Sequence, residues 1–166
     1  MKYKIIIDRE CELTDKIEGC DYVSIINPHK RSEADEGSAK YLKLIMNGIQ
    51  NYKGSFPFPD DFKREYECDA DVIFVVTISR KLCASFASAA IGRSLYYDEH
   101  GEDKRIKVVN SNAVSRGEAR IVETIIDRIE EGCSYEDICR SVSELKKRLN
   151  KEFLAELCEY KRVAFQ

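Results

Sequence analysis

The stretch that most restricts the fold is a charge-free run of β-branched and aromatic residues in the middle of the chain, at 72–78. Such a run is typical of a central strand buried on both faces of a parallel sheet. The next residues, Ser79, Arg80 and Lys81, are polar and end the strand. The segment 82–90 that follows has a helical pattern and unusually small side chains. We therefore predict a strand, a short polar turn and a helix.

The predicted turn is a candidate ligand-binding site. A helix that follows a parallel strand begins at the carboxyl edge of the sheet, where open α/β sheets bind ligands. The N–H groups of its first turn favour anions. Small side chains there would let a ligand approach the backbone, but they would equally let the helix pack tightly on the sheet. Both interpretations stay open at this point.

Length and charge exclude some classes of protein. A chain of 166 residues is long enough for one well-cored domain and short for two. The net charge of -3 and the pI near 5.6 argue against general nucleic-acid binding, because that function needs a basic face. We expect no nucleic-acid partner.

The apolar stretches are too short for a membrane span, which needs about 20 residues, and we recognise no signal peptide. We therefore expect a cytoplasmic protein whose seven cysteines are thiols. No two cysteines form a C-x-x-C pair, and the only histidines are His29 and His100. Zinc ligation has little support, and we expect neither a metal nor a cofactor.

Strand-like and helix-like patterns alternate along the chain. The strand-like runs are 3–7, 22–26, 72–78 and 106–109. The helix-like patterns begin near Glu12, Ser38, Asp60, Leu82, Val114, Ser134 and Glu152. Asp60 is the predicted cap of its helix, and Ser134 opens a capping box. The alternation predicts an α/β fold, a three-layer α/β/α sandwich with a mostly parallel sheet of about four strands.

Polar residues stand at the end of each predicted strand. They are Asp8, Asn27, Ser79 and the pair Asn110 and Ser111. Because the carboxyl ends of parallel strands meet at one edge of the sheet, we expect these residues to gather there, and this edge is the predicted site.

Four segments, in order, resemble the DegV family of bacterial fatty-acid-binding proteins. The family's opening strand and its Asp-Ser-x-x-Asp-Leu signature are similar to KIIIDRECEL at 4–13. Its Thr-Ser-Gln-Pro-Ser-Pro loop is similar to KGSFPFPDDF at 53–62. Its Ile-Ser-x-x-Leu-Ser-Gly-Thr-Tyr-x-x-Ala turn is similar to ISRKLCASFASA at 78–89, and its Asp-Ser-x-x-x-Ser-x-Gly segment to VVNSNAVSRGEARIV at 108–122.

The resemblance implies the amino-terminal domain of such a protein. In the family, hydroxyls of the loop and the turn hold the lipid carboxylate, and the acyl chain lies between this domain and a second one. A fatty-acid kinase is the implied protein partner. Carried over position by position, the predicted ligand-binding residues are Gly54, Ser55, Cys83, Ala84 and Ser85, with Ser79 ending the strand beside them.

Several of these positions depart from the family pattern. Gly54 stands for the loop threonine, Cys83 for the turn serine and Ala84 for the turn glycine. Phe56 and Phe58 stand for a glutamine and a serine. A hydrogen bond to a charged group contributes about 1.5–3 kcal/mol. The loss of two would weaken binding by roughly a hundredfold to ten-thousandfold, and a thiol would recover little of it.

We expect residues 1–166 to form a single DegV-like amino-terminal domain without the family's second domain. An acyl chain gains about 0.8 kcal/mol for each buried methylene, and one wall of the tunnel would be missing. We expect a long-chain fatty acid to bind weakly unless a partner protein, or a second copy of the chain, supplies that wall.

Two enzymatic interpretations compete with this one. Asp8 and Glu10 follow a strand and would suit Mg²⁺-dependent phosphoryl transfer as nucleophile and general acid. The second acid is a glutamate, however, and no later strand ends in a carboxylate pair; alternatively, Asp8 caps the next turn. Cys83 would suit a nucleophile or a redox-sensitive thiol, but a phosphatase loop would carry arginine where Ala89 stands.

The third interpretation is a protein-interaction domain whose ligand site is vestigial. Phe56 and Phe58 would then fill the old pocket or present an apolar patch to a partner, or would simply pack under the loop. The sequence favours a non-catalytic, fatty-acid-binding-like domain with an anion-receptive site at the carboxyl edge of the sheet.

Overall fold

The computed structural model describes residues 1–9, 11–27, 56–81, 83–113 and 115–164, and side chains as far as residue 152. The strands are β1 (Tyr3–Asp8), β2 (Val23–Ile26), β3 (Val72–Thr77) and β4 (Arg105–Asn110). The helices among these residues are α1 (Asp15–Glu18), α2 (Pro59–Tyr66), α3 (Ser85–His100), α4 (Arg116–Glu130) and α5 (Tyr135–Ala164).

The strands form one parallel sheet in the order β2-β1-β3-β4. Strand β3 lies between β1 and β4, with Phe74 opposite Ile5 on one side and Lys107 on the other. Every residue of β3 is buried, which explains its charge-free composition. The predicted parallel sheet of about four strands is confirmed.

Helices cover both faces of the sheet. On one face, Ile5 and Phe74 belong to a core that includes Ile121 of α4 and Ile138 of α5. On the other face, residues of the opposite parity, such as Ile6 and Ile73, belong to a second core that includes Phe62 of α2 and Ala89 of α3. The predicted three-layer α/β/α sandwich is confirmed. Within the described residues, no helix combines the length and the apolar character that crossing a membrane requires.

Helix α3 begins at Ser85, whereas the sequence predicts a helix that begins at residue 82. Residue 82 itself lies outside the described residues. The turn before it has its own hydrogen bonds: the Cys83 N–H donates to the Ser79 carbonyl at 3.2 Å, and the Lys81 N–H donates to the Ser79 hydroxyl at 3.4 Å. A serine that bonds to its neighbouring backbone competes with helix formation. The start of α3 is therefore delayed to Ser85.

The cap predicted at Asp60 is wrong. Helix α2 begins at Pro59, and the carboxylate of Asp61 accepts the Phe58 N–H at 2.8 Å. Proline suits the first turn because it lacks a donor that would have no partner there. The cap predicted at Ser134 is correct, since its hydroxyl accepts the Asp137 N–H at 3.2 Å.

Four further predicted helix boundaries differ from the structure or fall outside it. The pattern near Glu12 corresponds to one turn, α1. The segments predicted to begin at Ser134 and Glu152 form one helix, α5, of 30 residues. The helix predicted from Ser38, and the residue Val114, lie outside the described residues.

Gly92 lets α2 and α3 approach very closely. A Cβ atom at this position would lie 2.5 Å from the Pro59 carbonyl oxygen and 3.0 Å from the Cβ of Phe62. The Tyr66 hydroxyl also donates to the Ala89 carbonyl at 3.0 Å. These contacts fix the position of α2, and with it the segment 56–58 that leads into the helix.

Gly92→Ala is expected to lower the free energy of unfolding by about 1–3 kcal/mol, because the added methyl must push α2 away from α3. Urea denaturation followed by circular dichroism measures the loss. Ser94→Ala, on the exposed side of the same helix, is the control and should change stability by less than about 0.5 kcal/mol. Equal stability of Gly92→Ala and the wild type would contradict this close packing.

Cys11 contributes a pH-dependent term to stability. Its side chain is buried, and burial, together with the negative charges of Glu118 and Asp8, raises the pKa of its thiol well above the ordinary value. Above about pH 9 the unfolded chain loses this proton while the folded chain keeps it. The folded state then binds more protons, so stability falls as pH rises.

Between pH 9 and pH 10.5 we expect the free energy of unfolding to fall by up to about 1.4 kcal/mol per pH unit on account of Cys11. Denaturation at several pH values in this range measures the slope. Cys11→Ala should reduce it, whereas Val142→Ala, which removes buried apolar atoms and no titrating group, should leave it unchanged. A slope that Cys11→Ala does not alter would contradict the assignment.

Candidate functional site

The carboxyl ends of the strands are joined by hydrogen bonds through polar groups. The carboxylate of Asp8 accepts the Ile78 N–H at 2.8 Å. The Arg80 N–H donates to the Asn110 side-chain oxygen at 3.1 Å, and the Ser111 N–H donates to the Thr77 carbonyl at 3.0 Å. Asn27 follows Ile26, the partner of Asp8 in β2. The predicted gathering of polar strand ends along one edge is confirmed.

Asp8 serves as a structural acceptor at this edge. It is only 3% exposed, and its carboxylate bonds to the first backbone N–H after β3. The side chain holds the neighbouring strand, and its predicted capping of the following turn stays a prediction. Glu10, its proposed catalytic companion, lies outside the described residues. The geometry favours support of the β3–α3 turn over nucleophilic attack.

Ser79 organises the turn with its backbone as well as its side chain. Its N–H donates to the Ala113 carbonyl at 3.0 Å, and its carbonyl accepts the Cys83 N–H at 3.2 Å. The Ser111 hydroxyl also donates to the Ala113 carbonyl, at 3.0 Å. The loop after β4 is thereby tied to the turn after β3. The third and fourth motifs of the sequence meet at this point.

Cys83, Ala84 and Ser85 form the end of the turn and the start of α3, and all three are at most 7% exposed. The Cys83 sulfur lies 3.3 Å from the Ser85 hydroxyl oxygen. The structure thus brings together two of the side chains predicted to contact a ligand, beside the amino terminus of a helix. A carboxylate or another anion suits this position.

Phe56 and Phe58 pack directly against this turn. With Cys83 and Ala84 they form a small apolar group, here called the loop–turn cluster. Their ring centroids are 6.1 Å apart in an edge-to-face arrangement, which is favourable for two aromatic rings. The rings are 8% and 6% exposed, so they fill space beside the turn rather than offering an apolar patch to a partner.

The second and third motifs therefore meet where the predicted site requires them to meet. Gly54 and Ser55, the loop residues predicted to contact a ligand, lie outside the described residues, and their roles stay predictions. Sequence reasoning missed the roles of Ala113 and Gly92. The close contact at Gly92 could have been suspected from the sequence, because a glycine in a helix interior is unfavourable unless a close contact needs it.

Among the described residues, one group has a geometry suited to metal ligation: Glu67, Glu99 and His100. All three are exposed, and the Lys63 ammonium lies 2.6 Å from Glu99 and 3.8 Å from Glu67. The lysine ammonium is paired with both carboxylates and offsets part of their negative charge. The group also lies at the far end of α3, about 20 Å along the helix from Ser85, and is not part of the candidate site.

A cavity of about 500 Å³ lies at the opposite, amino-terminal edge of the sheet. The two lysines that line it are paired, Lys2 with Asp69 at 2.6 Å and Lys4 with Glu65 at 2.7 Å. It is remote from the loop–turn cluster because it lies at the other end of the strands.

The fold and the candidate site define a parallel α/β domain with a strand–turn–helix unit at the carboxyl edge of its sheet. The family model described as "Uncharacterised protein, DegV family" matches residues 2–160. The chain therefore belongs to the DegV family, and the predicted resemblance to that family is confirmed.

Two named relatives and one solved structure support the assignment to the DegV family. A DegV domain-containing protein of Streptococcus pneumoniae is 30% identical over 163 residues, which are 93% of this chain and 57% of that protein. A fatty acid-binding protein of Thermotoga maritima is 28% identical in an alignment 168 positions long that covers 93% of this chain and 56% of that protein. The crystal structure of a DegV family protein from Ruminococcus gnavus with vaccenic acid gives a TM-score of 0.68 at 28% identity, over 88% of this chain and 55% of that one. The chain spans a little more than half the length of these relatives.

Asp8→Ala is expected to lower the free energy of unfolding by about 1–3 kcal/mol, because the Ile78 N–H loses its acceptor in a buried place. Asp8→Asn keeps an acceptor oxygen and should restore part of the loss. Thermal or urea unfolding measures both variants, with Asp98→Ala at an exposed carboxylate as the control. An Asp8→Ala protein of unchanged stability would show that the carboxylate does not support the turn. If that protein had also lost a Mg²⁺-dependent hydrolysis of an aryl phosphate, the enzymatic interpretation would return.

Proposed function

We propose that this chain is a non-catalytic lipid-binding domain that takes the carboxylate of a long-chain fatty acid at the β3–α3 turn. The observation that carries the proposal is the loop–turn cluster, in which residues of two family ligand motifs pack against each other. Membership of the DegV family supports it, as do the names of the relatives, which include a fatty acid-binding protein and a structure with vaccenic acid.

The proposed contacts to the carboxylate come from the turn and the adjoining loop. Ser85 supplies a hydroxyl, Cys83 a weakly donating thiol, and the first turn of α3 its backbone N–H groups. Gly54 and Ser55 are proposed to complete the site from the loop. A buried anion is stable only when it is hydrogen-bonded, and we expect weaker binding than in relatives that carry hydroxyls at positions 54 and 83.

The acyl chain is proposed to lie across the domain with its second wall supplied by a partner protein or by another copy of the chain. Light scattering with and without fatty acid distinguishes these sources. A monomer at every concentration would exclude self-association as the source of the wall. A fatty-acid kinase remains the proposed protein partner.

A binding role without catalysis, in the cytoplasm, is part of the proposal. The buried carboxylate of Asp8 is engaged by a backbone N–H, and Cys11, Cys20, Cys68, Cys133 and Cys139 are thiols. Thiols are the usual state of cysteine in that compartment.

Ser85→Ala is expected to weaken oleate binding by about 10- to 150-fold, because a hydrogen bond to a charged group contributes about 1.5–3 kcal/mol. Cys83→Ser should strengthen binding by at least about tenfold, since a hydroxyl is the better donor. Isothermal titration calorimetry below the micellar concentration gives both constants. Ser94→Ala, an exposed serine of the same helix, is the matched control and should bind oleate as the wild type does.

Native mass spectrometry of the chain purified from cells provides an independent check: a stoichiometric co-purified fatty acid would show that the departures at positions 54 and 83 do not weaken binding. The proposal fails if neither the wild type nor Cys83→Ser binds oleate. It also fails if Ser94→Ala weakens binding as much as Ser85→Ala does.

A further inference from the structure

We infer that Phe56 and Phe58 form a fixed wall beside the β3–α3 turn that limits the length of acyl chain the site can bury, so that methylenes beyond the wall stay in water. The inference rests on the proposed function and deepens it, because it names the residues that set the length of the ligand. It follows from three features of the structure: the position of the two rings, the contacts that hold the segment carrying them, and the apolar surface that they cover.

The two rings occupy the space directly beside the proposed carboxylate contacts. The loop–turn cluster is separate from the two large cores on either face of the sheet. Its apolar surface continues over Ile78, Ala87 and Ile91. An acyl chain whose head group binds at Ser85 would gain its burial on this surface, and much of it is already covered by aromatic rings.

The rings are held by backbone contacts. The Phe58 N–H donates to the Asp61 carboxylate at 2.8 Å, and Pro59 follows at the start of α2. The Pro59 carbonyl lies against Gly92, where there is no space even for a Cβ atom. Displacing the backbone of Phe58 would require moving α2 away from α3. Phe56 and Phe58 therefore act as a wall and not as a lid.

A wall of this kind has a measurable effect on chain-length dependence. Each methylene buried from water strengthens binding by about fourfold, equivalent to about 0.8 kcal/mol. The increment stops where the chain reaches the wall, because further methylenes remain in water. Affinity should therefore rise with chain length and then level off.

The experiment measures dissociation constants for octanoate, decanoate, dodecanoate, tetradecanoate and hexadecanoate by calorimetry. The wild type should show a plateau within this series. Phe58→Ala and the double variant Phe56→Ala/Phe58→Ala should extend the rise of about fourfold per methylene to longer chains. Phe58→Leu, a milder change, should give a smaller extension and covers the case in which the alanine variants fail to fold.

Leu145→Ala is the matched control. It removes apolar atoms from a buried position on α5, on the other side of the sheet. It should keep the wild-type plateau although it lowers stability. An extension in Leu145→Ala equal to that in Phe58→Ala would overturn the inference, because general loosening would then explain both.

The outcomes separate the inference from the proposed function. Equal chain-length profiles for the wild type and all phenylalanine variants overturn the wall and leave fatty-acid binding in place. Absence of binding in every protein overturns both. Binding by the phenylalanine variants alone supports the wall in its strongest form and overturns fatty-acid binding for the wild type.

Discussion

The structure depends on the burial of β3 between two strands and two helical layers. All six residues of this strand are buried, and none of them carries a charge. The polar turn that follows can only emerge at the carboxyl edge, and the helix after it must return along one face of the sheet. The position of the candidate site is therefore a consequence of strand burial.

A second constraint is the contact between α2 and α3 at Gly92. It brings the amino terminus of α2 close to the first half of α3 and orients the segment that carries Phe56 and Phe58. Together, the buried strand and the close helix contact place the loop motif and the turn motif side by side, although Phe58 and Cys83 are 25 positions apart along the chain.

The layered fold could be predicted because its signals are local. The apolar runs at 72–78 and 106–109 each indicate a strand, and the serine at 134 indicates the start of a helix. None of these signals requires knowledge of neighbouring elements. The exact start of α3 could not be predicted, since it depends on hydrogen bonds that Ser79 makes with its own turn. The role of Asp8 depends on which strand lies beside β1, and no single segment of the sequence indicates the order of the strands in the sheet. The packing of Phe56 on Ala84 is a contact between distant segments and follows only from the assembled sandwich.

Because the loop–turn cluster belongs to neither main core, it can change without disturbing the cooperative unit that holds the sheet together. Substitutions at Phe56 and Phe58 are expected to affect mainly the packing of the loop–turn cluster. Substitutions in β3 are expected to lower the stability of the whole domain. This separation makes the two positions favourable starting points for directed evolution. A library randomised there would sample different ligand preferences on an otherwise unaltered scaffold.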